Sequence, residues 1–264
     1  MFARFLSRPD PTSTPPSTGK RLAYAVGDIH GRLDLLSPLL REIALDAQAS
    51  HPKRRPLLIF LGDYVDRGPD SRGVVDAILK IEAAGAFEVV PLKGNHEDAL
   101  LQFLADPQIA ASWMEHGGAA TLASYGVQPA AVRSDADSWS KVRDAFEAAL
   151  PADHRAFYER LELMHVVGDY AFVHAGVRPG VSLEDQAEHD LLWIRKEFLG
   201  NAGPFDKVIV HGHTPSEEPQ FVGNRLGLDT GAYATGVLSA VRLQGETQRL
   251  LQIRAPRGAS QAAK

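Results

Sequence analysis

The sequence has no cysteine among its 264 residues. That absence excludes disulfides, thiolate metal sites and cysteine nucleophiles together, and it fits a reducing compartment. Long apolar runs are also missing. No stretch approaches the roughly 20 residues that span a bilayer. The short apolar start, Met1 to Leu6, is broken by Arg4 and lacks the core of a secretion signal. The expectation is a soluble, cytoplasmic protein with no membrane partner. Basic charge is in deficit: 28 Lys and Arg against 33 Asp and Glu leave a formal charge of -5. That total disfavours bulk attraction to nucleic acid, so no nucleic-acid partner is expected, although a local basic pocket is compatible with it.

What is present is enough apolar residue, 44%, for a sizeable core. Residues 1–19 hold a Pro-, Ser- and Thr-rich stretch and read as a flexible tail, as do the small polar residues 255–264. Between them, 20–254 form one domain. Apolar runs at Leu22–Val26, Leu57–Leu61 and Phe87–Leu92 read as strands. Helical periodicity over Leu33–Ala47 and Arg72–Ala84 separates them. The order β-α-β-α-β predicts an α/β layered domain. Residues 98–165 read as a mostly helical insertion. Strands then return at Tyr170–Val173, Val208–Val210, Leu226–Leu228, Val237–Leu243 and Arg249–Ile253. Their closeness predicts antiparallel pairing, within a mixed sandwich of two sheets flanked by helices.

Polar clusters follow the strands: Asp28/His30, Asp63/Asp66/Arg67, Asn95/His96, His174 and His211/His213. Ligand sites in α/β proteins lie beyond the carboxyl ends of strands. Asp28 and His30, two apart in an extended segment, can reach one ion; a strand-end Asp can equally be a cap or a turn former. Asp63 can bridge two cations, and Arg67 offers a planar fork that suits a phosphate. Asp66 can hold a neighbouring imidazole. Alternatively, this turn is a surface Asp–Arg pair. Asn95 can give a carbonyl oxygen to a metal or serve as a helix N-cap, and His96 can act as a general acid. His174 and His213 complete a set of N and O donors; His211 could support a ligand from behind or merely pack. His51, His116, His154 and His165 have no such companions. Nitrogen and oxygen donors together suit Mn, Fe or Zn better than Mg or Ca. Two ions about 3.5–4 Å apart would share Asp63 and a hydroxide.

The segments DIHG (Asp28–Gly31), GDYVDRG (Gly62–Gly68), GNHE (Gly94–Glu97), HAG (His174–Gly176) and GHTP (Gly212–Pro215) occur in this order, with LDTG (Leu228–Gly231) after them. In these the chain resembles the phosphoprotein phosphatases among the calcineurin-like metallophosphoesterases, in their bacterial and phage-like branch. The resemblance implies a four-layer αββα sandwich with a dinuclear centre. Asp28, His30 and Asp63 would hold one metal, and Asp63, Asn95, His174 and His213 the other. Arg67 and Asn95 would bind phosphate, and His96 paired with Asp66 would protonate the leaving group after direct in-line attack by a metal-bridging hydroxide. Arg195, in LLWIR, resembles a second phosphate-binding Arg, and a helix-face Arg is the other reading. Pro215 stands where the wider superfamily often has a further His ligand.

Asp66 and Glu97 favour a protein phosphatase acting on phosphoserine and phosphothreonine over a symmetrical diadenosine tetraphosphate hydrolase, whose relatives typically carry Ala and Asp at those places. Tyrosine phosphatase or broad small-phosphoester activity stays open. A phospho-binding module without catalysis would be expected to lose ligands, and all six candidates are present. A metal-dependent nuclease fits the acidic total and the short last motif poorly.

Overall fold

Strand β1 (Leu22–Val26) is apolar on both faces, and that decides the architecture. Leu22, Tyr24 and Val26 enter one buried cluster, and Ala23 and Ala25 enter a second. Successive side chains of a strand point to opposite sides, so β1 is covered twice. Strand β2 (Leu57–Phe60) repeats the pattern, with Leu58 and Phe60 in the first cluster and Leu57 and Ile59 in the second. The first cluster lies against α1 (Leu33–Ala49) and α2 (Ser71–Ala83), whose buried faces are Leu35, Leu36, Leu39, Ile43 and Val74, Val75, Ile78. Asp70 caps α2 by accepting from the Gly73 N–H at 2.8 Å.

This computed structural model describes residues 15–131 and 135–256. Strand β3 (Glu88–Pro91) pairs in parallel with β2, as β2 does with β1. The middle of the chain supplies α3 (Asn95–Ala105), α4 (Ala110–Glu115), α5 (Gly118–Ser124), α6 (Ala136–Ala149) and α7 (Ala152–Glu159). Their Phe103, Trp113, Leu122, Phe146 and Phe157 extend the first cluster. The second sheet begins with β4 (Met164–Val167) and β5 (Tyr170–Val173). Helices α8 (Glu188–Trp193) and α9 (Lys196–Leu199) follow, then β6 (Val208–His211), β7 (Gln220–Val222) and β8 (Arg225–Gly227). Helix α10 (Ala232–Thr235) precedes β9 (Val237–Gln244) and β10 (Thr247–Arg254), which return to the first sheet.

The sheet orders are β10-β9-β1-β2-β3 and β4-β5-β6-β8-β7. Tyr170 and Phe172 face the second cluster between the sheets; Ala171 and Val173 face a third, against Leu191, Ile194 and Phe198 of the α8–α9 region. Helices, sheet, sheet and helices thus make four layers of a mixed α/β fold. Of the returning strands expected from sequence, β9 and β10 pair antiparallel, but β5, β6 and β8 do not. β5, β6 and β8 run parallel, because the α8–α9 crossover carries the chain back before β6 and β7 carries it back before β8. Strand β4 begins inside the segment expected to be helical, and three-residue β7 is too short for a periodic signal. Of the expected N-terminal tail, residues 1–14 lie outside the described residues, as do 257–264 at the other end. Ser17 and Thr18 lie inside and are held by hydrogen bonds from Ser17 N–H to Asp169 and between Thr18 and Gly245. Among the described residues no helix is long and apolar enough to cross a membrane.

Candidate metal centre and active site

Parallel strands end at one edge of their sheet, so Asp28 after β1, Asp63 after β2 and Asn95 after β3 arrive together. His174 after β5 and His213 after β6 reach the same place from the second sheet. The turns that carry these residues are strained. Six non-glycine residues among those described have left-handed backbone, and five are His30, Asp63, Asp66, Arg67 and His213. Each such residue costs on the order of 1 kcal/mol or more, and such strain gathers at functional sites. The sixth, His51, simply ends α1. Gly212 is required by close approach: a Cβ there would lie 1.9 Å from Asp28 Oδ1.

Asp63 is the centre of the arrangement. Its Oδ2 lies 3.3 Å from His30 Nε2 and 3.9 Å from His96 Nε2, and its Oδ1 lies 3.4 Å from His174 Nε2. The two oxygens therefore serve two donor groups, His30–Asp63–His96 and Asp63–His174–His213, each compact enough to hold one ion. Asn95 Oδ1 lies 2.9 Å from His174 Nε2 and 2.8 Å from His213 Nδ1. Backbone carbonyls set the imidazoles: His30 Nδ1 is 2.7 Å from Val65 O, and His174 Nδ1 is 2.8 Å from Leu61 O. A ring N–H donating there leaves the other nitrogen as a lone pair aimed inward.

The donors fit cations better than they fit one another. Asp28 Oδ1 and His213 Nε2 are buried with no hydrogen-bond partner among the described residues. Burial, reinforced by the charges of Asp229 and Asp63, pushes the Asp28 carboxyl well up. Burial likewise pushes Asp229 up. Burial also opposes ionisation of Asp63, yet His174, His96 and His30 hold it well below its ordinary range. The His213 imidazole is pushed down by burial and by His174, to about 2, so it presents a neutral ring. Buried carboxylates and neutral imidazoles converging on one place are the donor chemistry of divalent metals.

His96 stands beside these donors with Asp66 behind it. Its Nδ1 is 2.6 Å from Asp66 Oδ2, and Asp66 also accepts from Trp113 Nε1 at 3.0 Å and from the Thr121 hydroxyl at 2.6 Å. Burial alone would lower the His96 imidazole, but Asp63 and Asp66 outweigh it and hold it above its ordinary value. Arg67 aims Nη1 at His30 Nε2, 3.1 Å away, and Nη2 at His96 Nε2, 3.0 Å away. Its guanidinium lies 4.6 Å from the ring centre of Tyr233. Arg195 is exposed at the rim, 3.4 Å from the Thr214 hydroxyl next to His213.

Asn95 is not the helix cap that its type suggested. Gly94 is, because the Glu97 side chain reaches back to its N–H, and this leaves the Asn95 side chain free for the site. His211 packs edge-on against Phe198, and burial pushes it down to about 4. His154 is a core residue bonded to Tyr125 and Asp76. His116 does have a companion: its ring centre is 6.4 Å from that of His96. His116 and Trp193 help to line a cavity of about 220 Å³ beside Asn95 and His96. Sequence reasoning assigned no role to Asp229, although LDTG follows a strand as the other clusters do. It gave no site role to Thr121 or Tyr233, which reach the site only through tertiary packing; Trp113 and His116 lie in the segment WMEHGG, which also resembles the phage-like protein phosphatases.

Residues 23–237 match the family model for calcineurin-like phosphoesterases. Among curated proteins, the asymmetrical bis(5'-nucleosyl)-tetraphosphatase PrpE of Anoxybacillus flavithermus is 28% identical over 236 residues, covering 82% of this chain and 88% of that protein. A solved structure described as a candidate diadenosine tetraphosphatase superposes with a TM-score of 0.61 at 21% identity, covering 93% of this chain and 97% of the other. A Saccharomyces cerevisiae protein serine/threonine phosphatase with similarity to human PP5 superposes with a TM-score of 0.57 at 16% identity, covering 91% and 82%. At these identities the superpositions speak for the fold alone. Its strand-end donors, its four layers and the span of the family match agree: this chain belongs to the calcineurin-like phosphoesterases and is a metallophosphoesterase.

Proposed function

We propose that the protein is a phosphomonoesterase that removes phosphate from phosphoserine and phosphothreonine in proteins, by direct in-line attack of water and without a phosphoenzyme. The observation that supports this reading best is the Asp66–His96 pair. A Ser or Thr alkoxide is a poor leaving group that needs a proton, and a buried imidazole held above its ordinary pKa by carboxylates can supply one. The fork of Arg67, 3.0 Å from His96 Nε2, offers the phosphoryl oxygens a bidentate partner next to that acid. Arg195 adds positive charge at the rim.

In this reading Asp28, His30 and Asp63 hold one divalent cation, and Asp63, Asn95, His174 and His213 hold a second. Mn suits the mixed donors, with Fe or Zn as alternatives. Held there, such cations supply Lewis acidity and lower the pKa of water to about 7.

A second reading, hydrolysis of dinucleoside tetraphosphates, draws on the relatives named for that activity. It is favoured by two exposed aromatic side chains beside the donors. Trp193 lies 6.1 Å from the His213 ring, and Tyr233 lies 5.4 Å from the His30 ring. Such rings can stack on nucleobases. A panel of phosphopeptides, dinucleoside tetraphosphate, p-nitrophenyl phosphate and single-stranded DNA, assayed on Mn-loaded protein, separates the readings. The first expects kcat/KM to be highest on phosphopeptides. It is overturned if the dinucleotide exceeds them by more than about tenfold, a difference of about 1.4 kcal/mol.

A further inference from the structure

A broad groove lies at the end of the sheets opposite the candidate metal centre. It encloses about 1000 Å³. The first residues of β1, β2 and β3 form its floor, whereas the metal-ligand candidates follow the last residues of those strands. Lys20, Arg21, Lys53 and Arg54 line it, with Glu88 as the one carboxylate. Glu88 is paired with Arg21, so among the described residues Lys20, Lys53 and Arg54 are exposed cations with no carboxylate in the groove left to neutralise them. This concentration of positive charge is notable on a chain whose formal charge is -5. Acidic residues elsewhere therefore do not select for it by net charge.

The remaining wall is a strand edge. β4 stands at the end of its sheet and is paired only with β5 among the described residues. Val166 on that strand is 43% exposed and lines the groove. No Phe, Tyr or Trp lines it, so it lacks the stacking platforms that single-stranded nucleic acid uses. An unpaired edge, an exposed Val and unneutralised cations together match an extended polypeptide that carries carboxylates or phosphates. The first 14 residues of this chain carry Arg4 and Arg8 against Asp10 alone, the wrong sign to occupy it.

We propose that this groove is a docking site for an acidic, extended segment of a partner protein. The site is separate from the catalytic one and does not depend on which phosphoester is cleaved. A partner protein held there would be anchored at one end of the sandwich and leave the metal centre open.

The test is fluorescence anisotropy on the full-length protein, with a fluorescein-labelled peptide of alternating Glu and Val. Binding is expected at about 100 µM or tighter at low salt, weakening as ionic strength rises. Lys53→Glu/Arg54→Glu and, separately, Lys20→Glu should each weaken it at least about tenfold. Both variants should hydrolyse p-nitrophenyl phosphate at the wild-type rate, which also reports that they fold. A Kd weaker than about 1 mM for the wild type, or unchanged binding in both variants, would overturn the proposal. So would tighter binding of a labelled single-stranded oligonucleotide that the same substitutions abolish.

Discussion

His96 Nδ1 lies 2.6 Å from Asp66 Oδ2, and neither side chain is more than 2% exposed. The contact places the ring proton on Nδ1 and turns Nε2 toward Arg67. In the proposed reading Nε2, which accepts from Arg67 here, passes a proton to the leaving oxygen once that guanidinium has turned to the phosphoryl oxygens. His96→Ala should therefore lower kcat on alkyl phosphates such as phosphoserine peptides by about 100-fold to 10,000-fold. p-Nitrophenyl phosphate, whose phenolate leaves without help, should lose far less. Equal losses on the two substrates would reject the general-acid role.

Asp63 is the side chain whose two oxygens face both donor groups. Asp63→Asn removes the charge that both groups share. Metal analysis after reconstitution should find two Mn per wild-type chain and no more than one in the variant. Mn should also raise the melting temperature of the wild type more than that of the variant, since a ligand stabilises only the state that binds it. Two ions retained by the variant would contradict the shared-ligand assignment.

Much of this centre could be read from the sequence, and the reason is local. Each ligand candidate follows a strand by only one to four residues, so the apolar run announces where the polar residue will stand. The unbroken apolar runs of β1 and β2 also announce two covered faces. What stayed hidden depends on distant packing. Trp113 and Thr121 reach Asp66 across 47 and 55 residues of chain, and no periodicity reports that. The parallel pairing of β5, β6 and β8 was missed because these strands are too short to show which neighbour they choose.

Glu97 holds the strained turn after β2 in place. Its carboxylate accepts from the backbone N–H groups of Asp63, Tyr64, Val65 and Gly94, at 2.9, 2.8, 3.2 and 2.9 Å. Burial and the charge of Asp63 push its pKa up, against the pull of His96 and of those donors, which hold it as an acceptor. Glu97→Gln keeps the shape but sets an NH2 against N–H groups. The unsatisfied donors should cost about 3 kcal/mol, near the top of the range for such losses. Urea denaturation should show this as a lower midpoint at unchanged slope. A midpoint equal to that of the wild type would show that the turn does not need this carboxylate.

Asp46 on α1 ties the helix to β1, β9 and β10 through Tyr24, Arg242 and Arg249 respectively. Burial alone would raise its pKa, but the hydrogen bonds of Tyr24 and Arg242 and the charges of both arginines hold it below its ordinary value. A carboxyl depressed in the folded state stabilises the fold above its unfolded pKa, about 3.9. That contribution is lost as pH falls through the folded value. Asp46→Asn should therefore cost about 2 kcal/mol at pH 7. The gap to the wild type should close as the pH is lowered below about 4. A gap that stayed constant down to acid pH would place the stabilisation elsewhere.

Trp193 offers the sharpest division between the two substrate readings. It is 37% exposed, stands 6.1 Å from the His213 ring and lines the cavity beside His96. It makes no hydrogen bond to a ligand candidate, so its removal should leave the donors in place. If the protein cleaves dinucleoside tetraphosphates, a base stacked on this indole contributes about 1–3 kcal/mol. Trp193→Ala should then raise KM for that substrate by about tenfold or more while the KM for p-nitrophenyl phosphate stays near wild type. If phosphoproteins are the substrate, both values should move together and by little. Parallel measurement of the two KM values decides between stacking on a base and simple lining of the pocket.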